Sequence, residues 1–115
     1  MSTQDVLNHH LQAFASADVD EVMKDYTDDS VFLGTDGKLT GREEIRTVFE
    51  GLISGLFRPG TYQFEMDATE VVGEVAFIAW HSSNEGATVP LGTDTFLIRD
   101  GKIAVHTFAA KIDKV

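Results

Sequence analysis

The 115-residue chain contains no cysteine, which excludes disulfide bonds, thiolate metal sites and cysteine nucleophiles. No apolar run approaches the roughly 18 residues that a membrane helix needs. The first residues show neither the basic region nor the apolar stretch of a signal peptide, so we expect a cytoplasmic location. Internal repeats, linkers and low-complexity segments are also missing, and we therefore expect one domain over residues 1–115.

Basic residues are scarce, since 9 lysines and arginines face 19 acidic residues and the net charge is −10. Such a field repels phosphate backbones and anionic lipid, so we expect neither nucleic acid nor a membrane surface as a partner. The four histidines are His9, His10, His81 and His106, and they lack metal-ligand spacing such as H-x-x-x-H. A phosphate loop, a dinucleotide motif and a nucleophile elbow are also absent, and we expect no metal and no cofactor.

The first half of the chain has helical periodicity. Leu7, Leu11 and Phe14 form one apolar stripe that also contains His10, while His9 points to the opposite face. The pattern predicts a first helix over about residues 2–15 and a second that begins at residue 18. A capping box at residues 40–43 predicts the start of a third helix. One short strand is predicted over residues 30–33, between the second and third helices. Gly55 and the Pro-Gly pair at residues 59–60 end the third helix.

From residue 61 the period changes from 3.6 to 2, which is typical of strands. Tyr62, Phe64 and Met66 predict a first strand with one buried face. Residues 75–83 are apolar on both faces and predict a central strand, and strands over residues 91–98 and 102–112 follow. Helices that precede a run of antiparallel strands indicate an α+β fold with the helices on one face of the sheet.

Several local strings resemble the nuclear-transport-factor-two-like superfamily, in particular its SnoaL-like and ketosteroid-isomerase-like members. They are Ala17-Asp18-Val19-Asp20 leading to Tyr26-Thr27-Asp28-Asp29-Ser30-Val31, then Thr40-Gly41-Arg42-Glu43-Glu44-Ile45, and Arg99-Asp100-Gly101-Lys102-Ile103. The resemblance covers nearly the whole chain and implies a cone-shaped curved antiparallel sheet with three N-terminal helices on its concave face, around a mostly apolar pocket. Folds of this kind host isomerases, cyclases, dehydratases, epoxide hydrolases and non-catalytic binders, so the fold does not fix the reaction.

Asp94 is the first candidate for chemistry, because it alternates in phase with Phe96 and Ile98 on an apolar face. Burial of a lone carboxylate is costly, so the group must be paired, hydrogen-bonded or neutral. The resemblance implies that this strand position holds a protonated acid that donates to a developing oxyanion. The alternative is a structural aspartate bonded to the backbone or to a neighbouring hydroxyl, such as Thr93 or Thr95.

His106 is the second candidate, and its relation to Asp94 depends on the last hairpin. A two-residue type I′ turn would pair Ile98 with Ile103 and place the two side chains on opposite faces. A three-residue loop would pair Ile98 with Lys102 and place Asp94 directly opposite His106. We favour the second register, in which the carboxylate orients the imidazole for acid–base chemistry near neutral pH. The alternative is a buried structural pair or a lone core histidine.

His10 is the third candidate. The resemblance implies that it takes the position of the isomerases' pocket tyrosine and donates a hydrogen bond to a substrate oxygen, and a plain core histidine is the alternative. Phe14, Phe49, Phe96 and Phe108 are expected to line the same cavity. The isomerases' general base has no counterpart at Leu33-Gly34-Thr35 unless Asp36 folds inward, and classical steroid isomerisation is therefore not expected.

Three functions are compatible with these features. The first is a cofactor-free acid–base enzyme, namely a lyase, isomerase, cyclase or hydrolase, that acts on a small apolar oxygenated substrate. The second is a non-catalytic small-ligand binder, and the third is an interaction module. Because Leu97, Ile103 and Val105 would give the sheet an apolar outer face, we expect a homodimer in all three cases. The sequence does not decide which face carries Trp80 and which carries His81.

Overall fold

Three helices and six strands make up the computed structural model, which describes residues 1–115. The helices are α1 (Thr3–Ala15), α2 (Val19–Met23) and α3 (Arg42–Ser54). The strands are β1 (Tyr26–Gly34), β2 (Gly37–Thr40), β3 (Tyr62–Val72), β4 (Val75–Asn84), β5 (Ala87–Arg99) and β6 (Lys102–Lys114). The predicted α+β class, with the helices on one side of a curved sheet, is confirmed.

The sheet has the strand order β2-β1-β6-β5-β4-β3. Its pairs are antiparallel except for β1 and β6, which run parallel, so the sheet is mixed and the expectation of a purely antiparallel sheet is wrong in this detail. Turns between consecutive strands enforce antiparallel pairing. The pairing of β1 with β6 joins distant parts of the chain, and no turn constrains its direction.

The helix ends follow from local capping, with one exception. Ser2 and Asp5 form the expected reciprocal capping box of α1, and the Asp18 side chain accepts a hydrogen bond from the backbone of α2. The capping box predicted for α3 is wrong, because its N-cap is Gly41, which has no side chain to bond the helix. Gly41 has a φ of 88°, a conformation that glycine adopts without strain.

Two strand predictions also need correction. β2 was not among the predicted strands, but residues 37–40 pair with β1. The expected buried face of β3 is largely open, and Phe64 and Met66 are 39% and 38% exposed. β3 lies at the edge of the sheet, where β4 is its one neighbouring strand.

The hairpin between β5 and β6 has the turn that we did not favour. Asp100 and Gly101 both have positive φ, of 52° and 74°, as a two-residue type I′ turn requires, and Ile98 pairs with Ile103. A β-bulge follows at once, because Leu97 pairs with Val105 and leaves Ala104 as an extra residue. Together with the turn, the bulge explains two observations. The turn pairs Ile103 with the buried Ile98 and so buries it, contrary to the expected outer position, and the bulge returns the next part of β6 to the alternation that we expected.

The inner face of the sheet, which we define as the face toward the helices, carries the core. Alternate residues of β4 and β5 are buried there, and they contact α1 and α3. The outer face carries the other half of the alternation. This arrangement assigns Trp80 to the inner face and His81 to the outer face, where His81 lies 2.8 Å from Asp67.

Candidate functional site

A cavity of about 50 Å³ lies between α1, α3 and the inner face of the sheet. Its walls are largely apolar, with three titratable side chains: His10, Asp94 and His106. The apolar lining residues are Leu11, Phe14, Phe32, Phe49, Leu52, Phe57, Phe64, Ile78, Trp80 and Phe108. The volume suffices for a few water molecules, whereas a site for a drug-sized ligand typically measures about 300–1,000 Å³.

A chain of hydrogen bonds runs along one wall of this cavity. Trp80 Nε1 donates to Asp94 Oδ1 over 2.8 Å, and His106 Nε2 lies 2.7 Å from Asp94 Oδ2. The other ring nitrogen of His106, Nδ1, lies 2.8 Å from the Tyr26 hydroxyl. All four side chains are buried, and His106 is 2% exposed. The expected contact between Asp94 and His106 is therefore present, although Phe96 and not Asp94 pairs with His106 across the strands.

The proton positions in this chain follow from hydrogen-bond accounting. Burial raises the pKa of Tyr26 well above its usual value, so the phenol keeps its proton and can donate it to His106 Nδ1. His106 then carries its hydrogen on Nε2 and donates to Asp94, which accepts from both neighbours as a carboxylate. The reverse assignment, with a protonated Asp94, leaves the Tyr26 hydroxyl hydrogen without an acceptor. The first assignment satisfies every buried donor.

His10 lies in α1 among four rings. The ring centroids of Phe96 and His106 are 5.1 and 5.7 Å from its own. Burial, with a smaller contribution from the nearby histidines, lowers the pKa of His10 to about 3, so the imidazole is neutral near neutral pH. Its Nδ1 is buried and has no hydrogen-bond partner. An unpaired buried nitrogen typically costs about 1–3 kcal/mol, so His10 is an unusual residue to find in a core.

Gly92 makes room for the indole of Trp80. The two residues pair across β4 and β5, and a Cβ atom on Gly92 would overlap three atoms of the indole ring. A side chain at position 92 would therefore push the ring away from Asp94. Glycine within a strand often marks such a close approach, and here it allows the hydrogen bond from Trp80 to Asp94.

The predicted site residues do not all lie at the cavity. Phe14, Phe49 and Phe108 line it together with His10, Asp94 and His106. Phe96 does not, because its ring is fully buried behind His106 with a centroid distance of 4.3 Å. Asp36 is exposed in the turn between β1 and β2 and does not fold inward.

Sequence reasoning missed two members of the hydrogen-bonded chain. Tyr26 was not among the predicted site residues, and in the structure it begins β1 and reaches His106. For Trp80, the sequence did not decide which face of the sheet carries the side chain. A glycine within the predicted strand at position 92 was the available signal for Trp80, whereas no local pattern indicates the contact of Tyr26 with a residue 80 positions away.

A second ionic cluster lies outside the cavity, where α1 meets α2. His9 Nδ1 is 2.6 Å from Asp25 Oδ2, and His9 Nε2 is 2.7 Å from Glu21 Oε1. Hydrogen bonds to Asp25 and Glu21 raise the pKa of His9, while burial raises the pKa of Asp25. The cluster connects the first two helices to the start of β1. No group of three histidine or acidic side chains in the protein is arranged to hold a metal ion.

The fold and the site together define a class of protein, a small α+β domain in which helices and a curved sheet enclose a carboxylate–imidazole pair. The match to a family model is consistent with this class. Residues 7–106 match the SnoaL-like domain, and the chain belongs to that family. No curated protein matches the sequence, and no helix is long and apolar enough to cross a membrane.

Similar solved structures agree on the fold. SalBIII, an epoxide hydrolase/cyclase-like enzyme of pyran ring formation in salinomycin, has a TM-score of 0.80 at 13% identity, with 98% of this chain and 95% of that chain covered. An NTF-2 like protein of unknown function from Burkholderia xenovorans has a TM-score of 0.76 at 21% identity, with 95% and 82% covered. A de novo designed protein with a curved β-sheet has a TM-score of 0.78 at 13% identity, with 95% and 84% covered. Because a designed protein shares the fold, the fold by itself indicates no reaction.

Proposed function

We propose that this protein binds a small apolar molecule with an oxygen function and acts on it as a cofactor-free acid–base enzyme. The reaction class is that of a lyase, isomerase, cyclase or hydrolase. The observation that carries the proposal is the buried pair of Asp94 and His106, 2.7 Å apart, in the wall of an apolar cavity. In this proposal Asp94 and His106 move or polarise a proton, and His10 binds the substrate oxygen.

The physical chemistry of the wall supports these roles. An imidazole beside a carboxylate can act as a general base or acid, and aromatic side chains make up much of the surrounding wall. Phe14, Phe49 and Phe108 supply apolar contact area for the substrate. The similarity of the fold to SalBIII is compatible with acid–base chemistry on oxygenated compounds. Steroid isomerisation is not part of the proposal, because Asp36 lies in an exposed turn.

The size of the cavity limits the substrate. At about 50 Å³ the space holds only a few non-hydrogen atoms, so a ring-sized ligand requires movement of side chains at the rim. Leu11, Phe14, Leu52, Phe64 and Phe108 are the partly exposed residues of the lining, and their outward rotation would provide the additional space.

The experiment is a thermal-shift screen of lipophilic oxygenated compounds, followed by a search for turnover of each compound that binds. The wild type is compared with His106→Gln, which removes the imidazole, and with His81→Gln, which changes an exposed histidine on the outer face. We expect ligands of the wild type to be consumed by wild type and His81→Gln but not by His106→Gln. If ligands bind but none of the three proteins turns them over, the enzymatic role is refuted.

A non-catalytic ligand-binding protein is the second candidate. One observation favours it: both ring nitrogens of His106 and both oxygens of Asp94 already have partners within the protein. Such a complete network is also what a purely structural buried pair would need. Retained binding in His106→Gln without turnover in the wild type would support this candidate.

We also propose that two copies associate through the outer face of the sheet. At the centre of that face β4, β5 and β6 present apolar and threonine side chains without formal charge, namely Val75, Phe77, Ala79, Thr93, Thr95, Leu97, Val105, Thr107 and Ala109. Contact through an uncharged patch lets two copies with a net charge of −10 associate without like charges in direct contact. Sedimentation of the wild type and of Leu97→Lys tests this homodimer, and a monomeric wild type would refute it.

We also propose a cytoplasmic location, which cell fractionation tests.

A further inference from the structure

The wall of the cavity contains an acidic side chain and no basic side chain other than histidine. Asp94 is the one acidic residue of the lining, and neither lysine nor arginine is among the lining residues. The hydrogen-bonded chain from Tyr26 through His106 fixes Asp94 as a carboxylate whose two oxygens each accept one hydrogen bond. A carboxylate oxygen has two lone pairs, so Asp94 keeps acceptor capacity for a ligand.

His10 complements Asp94 as an uncharged donor. Its Nδ1 is fully enclosed without a partner, so a hydrogen on this atom would have no acceptor. The hydrogen of the neutral imidazole therefore lies on Nε2, which is not among the enclosed unpaired atoms. The cavity thus offers one fixed acceptor and one uncharged donor.

We infer that the cavity selects uncharged ligands that carry a hydroxyl group and that it excludes carboxylates and phosphates. A hydroxyl both accepts from His10 and donates to Asp94, whereas a hydrocarbon does neither. An anion would be placed beside the carboxylate with no cation in the wall to offset it. This inference rests on the proposed function, because it names the substrate class of the same cavity.

The test uses three probes of similar shape: cyclopentanol, methylcyclopentane and cyclopentanecarboxylate. Trp80 is the single tryptophan of the chain and lines the cavity, so its fluorescence reports occupancy, and none of the probes absorbs in the indole band. At neutral pH we expect wild-type protein to prefer the alcohol over the carboxylate by on the order of a hundredfold. The hydrocarbon should bind more weakly than the alcohol.

Asp94→Asn removes the charge, and Asp36→Asn is the matched control with the same substitution in an exposed turn. The preference for the alcohol over the carboxylate should fall by at least about tenfold in Asp94→Asn and stay unchanged in Asp36→Asn. A wild type that binds the carboxylate as well as the alcohol would overturn the inference but leave the ligand-binding proposal intact. Binding of none of the three probes would overturn both.

A measurement without any variant checks the charge assignment itself. Nitrogen-15 NMR of the wild type distinguishes the two neutral tautomers of His106, and we expect the hydrogen on Nε2. A hydrogen on Nδ1 would make Asp94 the donor of that pair and therefore a neutral acid, which would contradict the inference.

Discussion

Substitution of Gly92 by alanine tests whether the indole of Trp80 depends on the space above that glycine. An added Cβ would overlap three indole atoms, so the ring must rotate and lose its 2.8 Å hydrogen bond to Asp94. Overpacking in a core typically costs about 1–3 kcal/mol, and loss of a hydrogen bond to a charged group costs about 1.5–3 kcal/mol. We expect Gly92→Ala to lower the free energy of unfolding by the sum of the two, about 2.5–6 kcal/mol.

Chemical denaturation with fluorescence detection measures both effects at once, because Trp80 is the single tryptophan and is 3% exposed. The native emission of Gly92→Ala should shift to the red as the indole moves toward solvent. Gly51→Ala is the matched control, since nothing lies near its added Cβ and alanine favours an exposed helix position by up to about 1 kcal/mol. Gly51→Ala should therefore be slightly stabilising, with unchanged emission.

A double-mutant cycle tests the cause. In a Trp80→Phe background the smaller ring relieves the overlap, and Gly92→Ala should cost less than half as much as in the wild type. A cost of Gly92→Ala below about 0.5 kcal/mol, which is typical of a surface substitution, with native emission unaltered would refute this account of Gly92.

Three further predictions concern buried or paired side chains. The pKa of His10 is lowered to about 3, so below pH 6.5 the unfolded chain binds a proton that the folded chain does not. Stability should fall by up to about 1.4 kcal/mol per pH unit between pH 6.5 and 3, and denaturation of His10→Phe should lack this part of the slope. The pKa of His9 is raised in the folded protein. The stabilisation that its bonds to Asp25 and Glu21 give to the folded state is therefore complete below pH 6.5 and is lost as the pH rises through the raised pKa. His9→Gln should flatten that decline above pH 6.5, and an unchanged pH profile would argue against the bond from His9 to Asp25. Tyr26→Phe leaves Nδ1 of His106 without a donor and should cost about 1–3 kcal/mol, and thermal and urea unfolding that match the wild type would contradict the hydrogen-bond assignment.

The fold was predictable because its signals are local. The capping box at Ser2, the stripe of Leu7, Leu11 and Phe14, and the change of period at residue 61 each depend on neighbours in the sequence. The resemblance to the superfamily joined these elements into the right architecture. The parallel pairing of β1 with β6 was missed because it joins segments that no turn connects.

The site was predictable only in part, since contacts between Asp94 and His106 depend on strand register. The two expected side chains do meet, but through a turn and a bulge in place of the loop that we favoured. Two errors in the description of the hairpin cancelled, because the unfavoured turn reverses the alternation and the bulge restores it. The contribution of Tyr26 is a tertiary contact that no periodicity encodes.

The bulge in β6 has a consequence for how tolerant this family of folds is to changes in chain length. Ala104 is left out of the ladder, so Val105 pairs with Leu97 and His106 faces the helices. A shortened hairpin that lacked Ala104 would keep these pairs, and its imidazole would stay on the inner face. A hairpin of unchanged length that paired Ala104 with Leu97 would instead present His106 to the outside, so a slip in pairing is more harmful to the site than the loss of one residue.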